Sequence, residues 1–507
     1  MEIGKLIDDF VAVFSPETAV KRRNWRNTYH AYVAAELTRK DLPFAPDGRA
    51  ESIDASDRDI IRARVRNLER NSDVISSLMW ALENNVVGSQ INMQAASKNE
   101  VFNARIEELF NDWQLSENCD VTEQQNFTEL SKLCLRRMLI DGGVFSVATF
   151  DKVNNKYGLK LQIREVDELS TYSEAGLDNN NAVINGVEMT AVGKPVAYHF
   201  NKVYLSGIGI DSTPERIPAE RVEFLWARIR PTQYREISPL AKSVPRINDL
   251  DEYTEAVAFQ QKTNACNIAF VETDNYGATA GRAVNTNDGR RVKDLHAGSI
   301  TYLKPGEKIK PFIPAGQAAE MDSFVVTMLR TISAGQGLSL ESATRNVERV
   351  NYSSARQNML ADEKTYNALS KFMIEHFWRK VYRRFINACW AMGYLDKTGF
   401  NPNDPDYYKA KWLTEGIPWI DPLKEAKADG EKLANGGISF QKYCADHGAD
   451  WREQIQAMKE VQDYCEKLGV KLNFIASTEA IVANMDDGGD EEDGGENQKS
   501  GAKNSGA

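Results

Sequence analysis

Arg62-Ala63-Arg64-Val65-Arg66-Asn67-Leu68-Glu69-Arg70-Asn71, closed by Asn84-Asn85-Val86-Val87-Gly88, is the first of two stretches on which this chain turns. The second is Gly335-Gln336-Gly337-Leu338-Ser339, followed by Asn346 and Asn351-Tyr352-Ser353-Ser354-Ala355-Arg356. Neither is a catalytic signature. Around the first, Ile61, Val65, Leu68, Val74, Ile75, Leu78 and Leu82 keep helical spacing, with Ser56-Asp57-Arg58-Asp59 as the expected cap and Gly88 as the stop. Its arginines cover more than one face, which predicts several partners for that helix. The second predicts a segment without apolar periodicity over 338–351, holding Arg345, Asn346, Arg349 and Asn351.

Working outward from the second stretch, Leu369, Met373, Phe377, Val381, Phe385 and Cys389 recur every four residues up to Gly393. Phe372, Trp378, Tyr382 and Ile386 widen the stripe, so this long helix is expected to be deeply packed. Before the segment, Asp322 is the expected cap of a helix carrying Phe324, Val325, Met328, Leu329 and Ile332. Earlier still, Ser238-Pro239 pairs a cap with a proline at the first helical position. It predicts a helix through Lys262, about 40 Å long, with a bend at Pro245. Asp249, Asp251, Glu252 and Glu255 crowd its middle. Between these two helices, short apolar runs at 267–271, 299–303 and 308–313 flank a Gly/Asn/Arg-rich loop, which predicts a small β-containing insert.

From Val144 to Ile229 the period is two, with Asn185-Gly186 as a hairpin turn, so an antiparallel β module sits inside a largely helical protein. Residues 1–50 read as an arm of short helices, its basic run Lys21–Arg26 fitting either a solvated face or contact with a neighbour. Asp421-Pro422 opens C-terminal helices that break at Asn435-Gly436-Gly437 and His447-Gly448. Beyond Met485 the acidic, Gly-rich tail has nothing to bury and is expected to be disordered.

At 507 residues the chain can bury a large core, and that length suggests about two to four structural units. Net charge is −11, of which the segment from Asp486 onward, with seven acids and two lysines, carries −5 and the rest −6. A body of that sign does not hold DNA through phosphate neutralisation, although it can serve as a conduit. The start has acids where a signal peptide needs an apolar core, so export is not expected, and no apolar run has the length of a membrane helix. The six cysteines are scattered and predict buried, reduced thiols rather than disulfides or zinc.

Catalytic constellations are missing. There is no phosphate-binding loop with its lysine, and the five histidines never fall at metal-ligand spacing. His376 reads as an interior histidine. Asp251 and Glu252 form an acidic pair that specifies little by itself, and Ser353-Ser354 lacks a basic partner. No enzyme activity, cofactor or metal is expected.

Seven strings in order resemble the lambda-type portal proteins of tailed bacteriophages, over about Ser15 to Val470. They include Phe14–Ala19, Arg62–Gly88, Asp141-Gly142-Gly143-Val144-Phe145, Arg230–Leu240, Leu303-Lys304-Pro305-Gly306-Glu307, Asn351–Arg356 and Asp421–Ala426. Two departures stand out: Gly143-Val144 where that family commonly has Gly-Glu, and Arg235-Glu236 where it commonly has Arg-Gly.

The resemblance implies an α+β, mainly helical subunit of wing, stem helices, clip and crown, assembling into a ring, with a dodecamer expected. It implies an N-terminal arm and wing over 1–236, stem helices over 237–265 and 318–337, and a clip over 266–317. A channel loop over 338–352, a long wing helix over 353–396, crown helices over 397–485 and the tail over 486–507 complete it. Such a ring sits at one capsid vertex of the virion and assembles in the host cytoplasm. It nucleates the procapsid and passes double-stranded DNA without sequence specificity during packaging and ejection. Implied partners are the large terminase subunit, the major capsid protein and scaffold, and a head–tail connector, with no membrane. Asp249, Asp251, Glu252 and Glu255 would line the channel wall, and Arg345, Asn346 and Arg349 would touch phosphates or, alternatively, neighbouring subunits. Phe324 and Leu329 would lie at a subunit contact. The rival readings are a ring-forming virion adaptor without a packaging role and an acid hydrolase with an unfamiliar motif.

Overall fold

The computed structural model describes residues 13, 15–18, 47–153, 155–174, 181–202, 214–265, 269–273, 284–285, 291–292, 307–311, 318–348, 350–413, 422–447 and 449–469. Most of the N-terminal arm, Arg349, Asp421 and the acidic tail therefore lie outside the described residues. Two units divide the chain: residues up to Ile60 with Arg228–Tyr234, and everything else.

The small unit is built around the start of helix α1 (Ala50–Asn71). The Ala50 amide donates to Thr232 Oγ1 at 3.0 Å, and the Tyr234 amide to Glu51 Oε2 at 3.3 Å. Glu51 also holds Arg58 at 2.7 Å, with both side chains buried. The expected cap at Ser56 is therefore misplaced: the helix begins six residues earlier, and Ser56 Oγ bonds back to the Ile53 carbonyl inside it.

In the large unit the helical pattern through 61–88 is broken once. Ser72 takes an extended conformation (φ −110°, ψ 122°), and helix α2 (Asp73–Val86) starts afresh. Strand β1 (Asn92–Ala95) and helices α3 (Glu100–Leu115) and α4 (Phe127–Ile140) follow. Asn99 caps α3, and a reciprocal capping box of Asn126 and Glu129 starts α4. Phe110, Trp113, Phe127, Phe377, Tyr382 and Phe385, all fully buried, interlock at the centre; Trp113 and Phe385 have ring centroids 5.0 Å apart.

The β module contains β2 (Gly143–Phe150), β3 (Leu159–Arg164), β4 (Ala182–Ile184), β5 (Val187–Met189), β6 (Pro195–Phe200), β7 (Glu215–Pro218) and β8 (Val222–Trp226). They form two antiparallel sheets, ordered β3-β2-β8 and β4-β5-β6-β7. The period-two reading holds on β3, where Leu159 and Leu161 are buried. So does the hairpin, since Asn185 and Gly186 both take positive φ (48° and 80°) between β4 and β5. A Cβ on Gly186 would lie 2.3 Å from the Ser170 carbonyl oxygen, so glycine is required there.

Ser238 caps as expected, accepting from the Leu240 amide at 3.2 Å and donating to the Leu139 carbonyl at 2.9 Å. It opens only a 3-10 turn, Pro239–Lys242, before helix α5 (Val244–Ala265). Pro245 thus falls in the first turn of α5, where its missing N–H breaks no bond, and the expected mid-helix bend has no cause. The 22 residues of α5 rise about 33 Å.

Strands β9 (Ala269–Thr273) and β12 (Glu307–Pro311) pair antiparallel, with the short pair β10 (Val284–Asn285) and β11 (Arg291–Val292) between them in sequence. This is the β-containing insert. Helix α6 (Ala318–Gly335) begins four residues before Asp322, which is therefore inside the helix and not its cap.

The segment expected to be irregular holds a short helix, α7 (Leu340–Thr344), capped by Ser339. The long helix runs as α8 (Tyr352–Met373), a π turn over Ile374–Trp378, and α9 (Arg379–Ala391). Its stripe holds, with Met373, Phe377, Val381, Phe385 and Cys389 fully buried. His376 does not follow its neighbour inward: it is exposed and its ring lies against Phe372, centroids 4.5 Å apart and planes tilted by 33°.

Strand β13 (Ala410–Leu413) pairs with β1, so residues up to Leu413 join the core rather than the C-terminal helices that were expected from 397. Helices α10 (Pro422–Ala434), α11 (Phe440–Asp446) and α12 (Trp451–Leu468) break where the glycines and His447 indicated. Among the described cysteines all are free; burial pushes the thiols of Cys119 and Cys389 up to about 12 and raises those of Cys134 and Cys444.

Candidate channel segment and the arginine network behind it

Two of the four arginines of the first signature stretch, Arg62 and Arg66, meet carboxylates of their own subunit, while Arg64 and Arg70 are exposed. Arg66 Nε donates to Asp141 at 2.7 Å and its NH2 to Asp167 at 2.6 Å, while Arg62 reaches Asp167 at 3.2 Å and Glu236 at 3.5 Å. Glu69, on the same helix, accepts from Arg136 at 2.7 Å and from Arg137. Burial is the largest single influence on Asp167 and disfavours its charged form, but the hydrogen bond from Arg66 together with the charges of Arg62 and Arg66 outweighs it and holds the carboxyl below its usual range. Glu69 is held low in the same way: burial is again the largest single influence, and the hydrogen bonds and charges of Arg137 and Arg136 together overcome it. Of the several partners expected for this helix, those of Arg62, Arg66 and Glu69 are internal.

Both departures in the resembling strings sit beside this network. Glu236, fully buried, is bracketed by Arg62 and by Arg235 at 3.0 Å. Gly142, at φ +90°, packs so close to the Ile237–Ser238 backbone that a Cβ would lie 2.6 Å from it. A Cβ on Gly143 would lie 2.9 Å from Phe224 and 3.0 Å from Glu236.

The second stretch is a joint. Gln336 Nε2 donates to Ser243 Oγ at 2.9 Å, just ahead of α5, and Thr365 Oγ1 donates to the Gly337 carbonyl at 2.7 Å. Leu338 is buried. Asp362 of α8, 2% exposed, accepts from the Ser339 amide at 2.7 Å and from the hydroxyls of Ser339 and Ser342. Ser77 of α2 donates to the Ala343 carbonyl, and Ser370 donates to the Val86 carbonyl at 2.8 Å. The two signature stretches therefore close on one another in space.

Where they meet lies a cavity of about 210 Å³, lined in part by Trp80, Asn84, Asn85, Arg345, Met359 and Asp362. Arg345 ends α7 in a left-handed conformation (φ 57°, ψ 21°), its amide donating to the Glu341 carbonyl at 2.7 Å. Its guanidinium lies over the Trp80 ring, 5.8 Å from the centroid. Arg345 and Asn346 are both exposed, and Asn346 Oδ1 accepts from the Glu348 amide at 3.0 Å.

The acidic residues of α5 do not share one environment. Asp249, Glu252 and Glu255 are exposed, whereas Asp251 is half-buried and burial raises its pKa, with Asp73 adding to the effect. Of the expected contact residues, Leu329 packs against the subunit's own core. Phe324 remains 43% exposed, yet its ring meets Tyr253 of α5 at 4.6 Å. Sequence reasoning missed this α5–α6 aromatic contact and the Arg345–Trp80 stack. It also missed the carboxylates that hold Arg62 and Arg66, because each pair joins residues remote in the chain. Among the described residues no group of His, Cys, Asp and Glu could hold a metal, and no helix is long and apolar enough to cross a membrane.

The family model for phage portal proteins of the lambda family matches residues 39–369, which include both signature stretches and the helices between them. The chain belongs to the lambda family of phage portal proteins. The family is structural and not enzymatic, so this portal protein is a virion component. It is 26% identical over 396 residues to a probable portal protein of Halomonas phage phiHAP-1, covering 75% of this chain and 76% of that one. It is 19% identical over 438 residues to portal protein B of Escherichia phage lambda, covering 77% and 81%. Among solved structures, the neck of a native gene transfer agent particle, computed with C12 symmetry, aligns with a TM-score of 0.42 at 12% identity. That alignment covers 74% of this portal protein and 90% of the other chain. An HK97-family portal protein from Corynebacterium diphtheriae aligns at 0.31, with 10% identity over 57% and 80%.

Proposed function

We propose that this portal protein forms a dodecameric ring at one capsid vertex, nucleates the procapsid there, and passes double-stranded DNA that a terminase packages and that later leaves through the attached head–tail connector. The observation that carries the reading is the helix pair α5–α6, joined through Tyr253 and Phe324 and separated in sequence by the β9–β12 insert. Two packed helices with a β unit between them give a stem and a clip, and the α7 segment that follows them is then the channel element. Apolar surface left open on one subunit supports assembly with copies of itself. Phe259 is 71% exposed on α5, and α12 leaves Ile455, Met458, Val461, Tyr464 and Leu468 exposed at helical spacing.

In this reading the exposed carboxylates Asp249, Glu252 and Glu255 repel phosphates along the channel, and Arg345 with Asn346, and Arg349 beside them, makes the few attractive contacts. Duplex DNA then slides without sequence preference and with a shallow salt dependence. Electron microscopy of the purified protein tests the class: a symmetric ring with an axial channel supports it, and a lone monomer overturns it. Replacing Arg345 and Arg349 together with Ala should impair packaging or retention of DNA while rings still form; loss of the ring itself would make them subunit contacts. Phe324→Asp should lower ring yield in size-exclusion chromatography, and an unchanged yield would remove Phe324 from a subunit contact.

A further inference from the structure

Helix α9 is anchored on one side and bare on the other. Val381, Tyr382, Phe385 and Ile386 are fully buried, which fixes the helix, while Arg379, Lys380 and Arg383 are exposed on the opposite side. Three and four residues apart, these cations share one face. Arg384, next to them, is already held by the buried Glu223 and the Glu220 carbonyl. Arg383 lies over the Tyr408 ring at 5.1 Å, and among the described residues Arg379 and Lys380 form no ion pair. Glu223 feels the charge of Lys380 only through space, its ion pair being with Arg384, so a fixed trio of cations without an ion pair among the described residues is left at the protein surface.

The complementary group is in the same chain. Asp486, Asp487, Asp490, Glu491, Glu492, Asp493 and Glu496 place seven carboxylates within eleven residues, with only glycines between them. Such a segment has no side chain to bury, so any surface it selects is selected by charge. We propose that the acidic tail of this chain, residues 486–496, docks on the Arg379–Lys380–Arg383 face of α9.

Reach permits it. Asp450, Arg452 and Glu453 at the start of α12 act electrostatically on Glu107, and Glu107 acts on Tyr382, the neighbour of Arg383. The 18 residues of α12 displace the chain by at most about 27 Å. The 17 residues between Leu468 and Asp486 span up to about 56 Å when extended, enough to return. Exposed ion pairs are individually weak and screened by salt, but a tethered partner acts at an effective concentration near millimolar. The tail then covers cations that would otherwise attract the phosphate backbone.

The test compares the full-length protein with a chain ending at Met485, using a fluorescent peptide of residues 486–507 at low ionic strength. The truncated chain should bind the peptide about tenfold more tightly than the full-length protein, whose own tail competes. Adding salt should weaken this binding, and R379E/K380E in the truncated chain should abolish it; R379Q/K380Q, which adds no acid near the buried Glu223, should weaken it strongly and serves if the charge reversal does not fold. In the full-length protein, carbodiimide should couple Lys380 to a carboxylate of 486–496, read by mass spectrometry. Equal peptide binding by the two chains, or undiminished binding by R379E/K380E, overturns the proposal. So does a truncated chain that takes up duplex DNA through Arg379 and Lys380 but leaves the peptide unbound, which would make this a nucleic-acid surface. None of these readings depends on ring formation or on Arg345.

Discussion

Arg66 and Arg345 belong to the two stretches by which this chain is recognised, and they have opposite fates. Arg66 is 19% exposed and grips Asp141, itself 1% exposed, together with Asp167. Arg345 is exposed at the end of a short helix, in contact with an aromatic face and with no acid among the described residues. A guanidinium removed from water needs a fixed counter-charge, whereas one left in water can wait for a partner. The first stretch thus uses its charges to assemble the subunit. The second offers a charge outward.

Breaking the held arginine should have the largest effect. Arg66→Ala leaves the Asp141 carboxylate buried with only Arg137 at 3.4 Å, and should lower unfolding free energy by about 3–5 kcal/mol, read by urea denaturation. A loss under about 1 kcal/mol would mean that the network is a surface feature.

Asp362 comes next. Asp362→Ala removes the shared acceptor of the Ser339 amide and of two serine hydroxyls, and should cost about 2–3 kcal/mol. Asp362→Asn should recover part of it, since the amide oxygen still accepts.

A third pair sharpens the contrast, because its arginine is half outside. Glu188 is 2% exposed and accepts from Arg216, which is 47% exposed. The Arg216 hydrogen bond, ahead of those from Asn181 and His199, lowers the Glu188 pKa to about 2. With the folded pKa depressed, the stabilisation is complete above the ordinary carboxylate range and fades as pH falls toward about 2. The stability gap between wild type and Glu188→Gln should therefore be constant near neutrality and close between about pH 4.5 and about pH 2.

Arg345 should matter least to folding. Arg345→Ala should change stability by no more than about 0.5 kcal/mol. Because φ is +57°, Arg345→Gly should stabilise by up to about 1 kcal/mol while removing the charge. A large loss in either variant would put Arg345 with Arg66.

Much of the architecture was legible in local pattern. The four-residue stripe from Met373 to Cys389, the alternation on β3, the Asn185-Gly186 hairpin and the Ser238 cap all stand in the structure. Helix starts were read less well: Ser56 and Asp322 are good cap residues that lie inside helices, because the preceding segments, Ala50-Glu51 and Ala318-Ala319-Glu320-Met321, open on residues that favour a first helical turn. His376 shows a related limit, since a neighbour on the buried stripe does not make a residue buried.

By itself the sequence determined the periodicities, the turns that require glycine, and membership of the lambda portal family, because each depends on residues close together or on strings kept in order. The tertiary structure alone decided which charges are spent. Arg62 with Glu236, Arg66 with Asp141, and Arg345 with Trp80 are pairings across 174, 75 and 265 positions. No local spacing encodes such distances, and the free energy of a charge depends on what lies within a few ångströms of it in space.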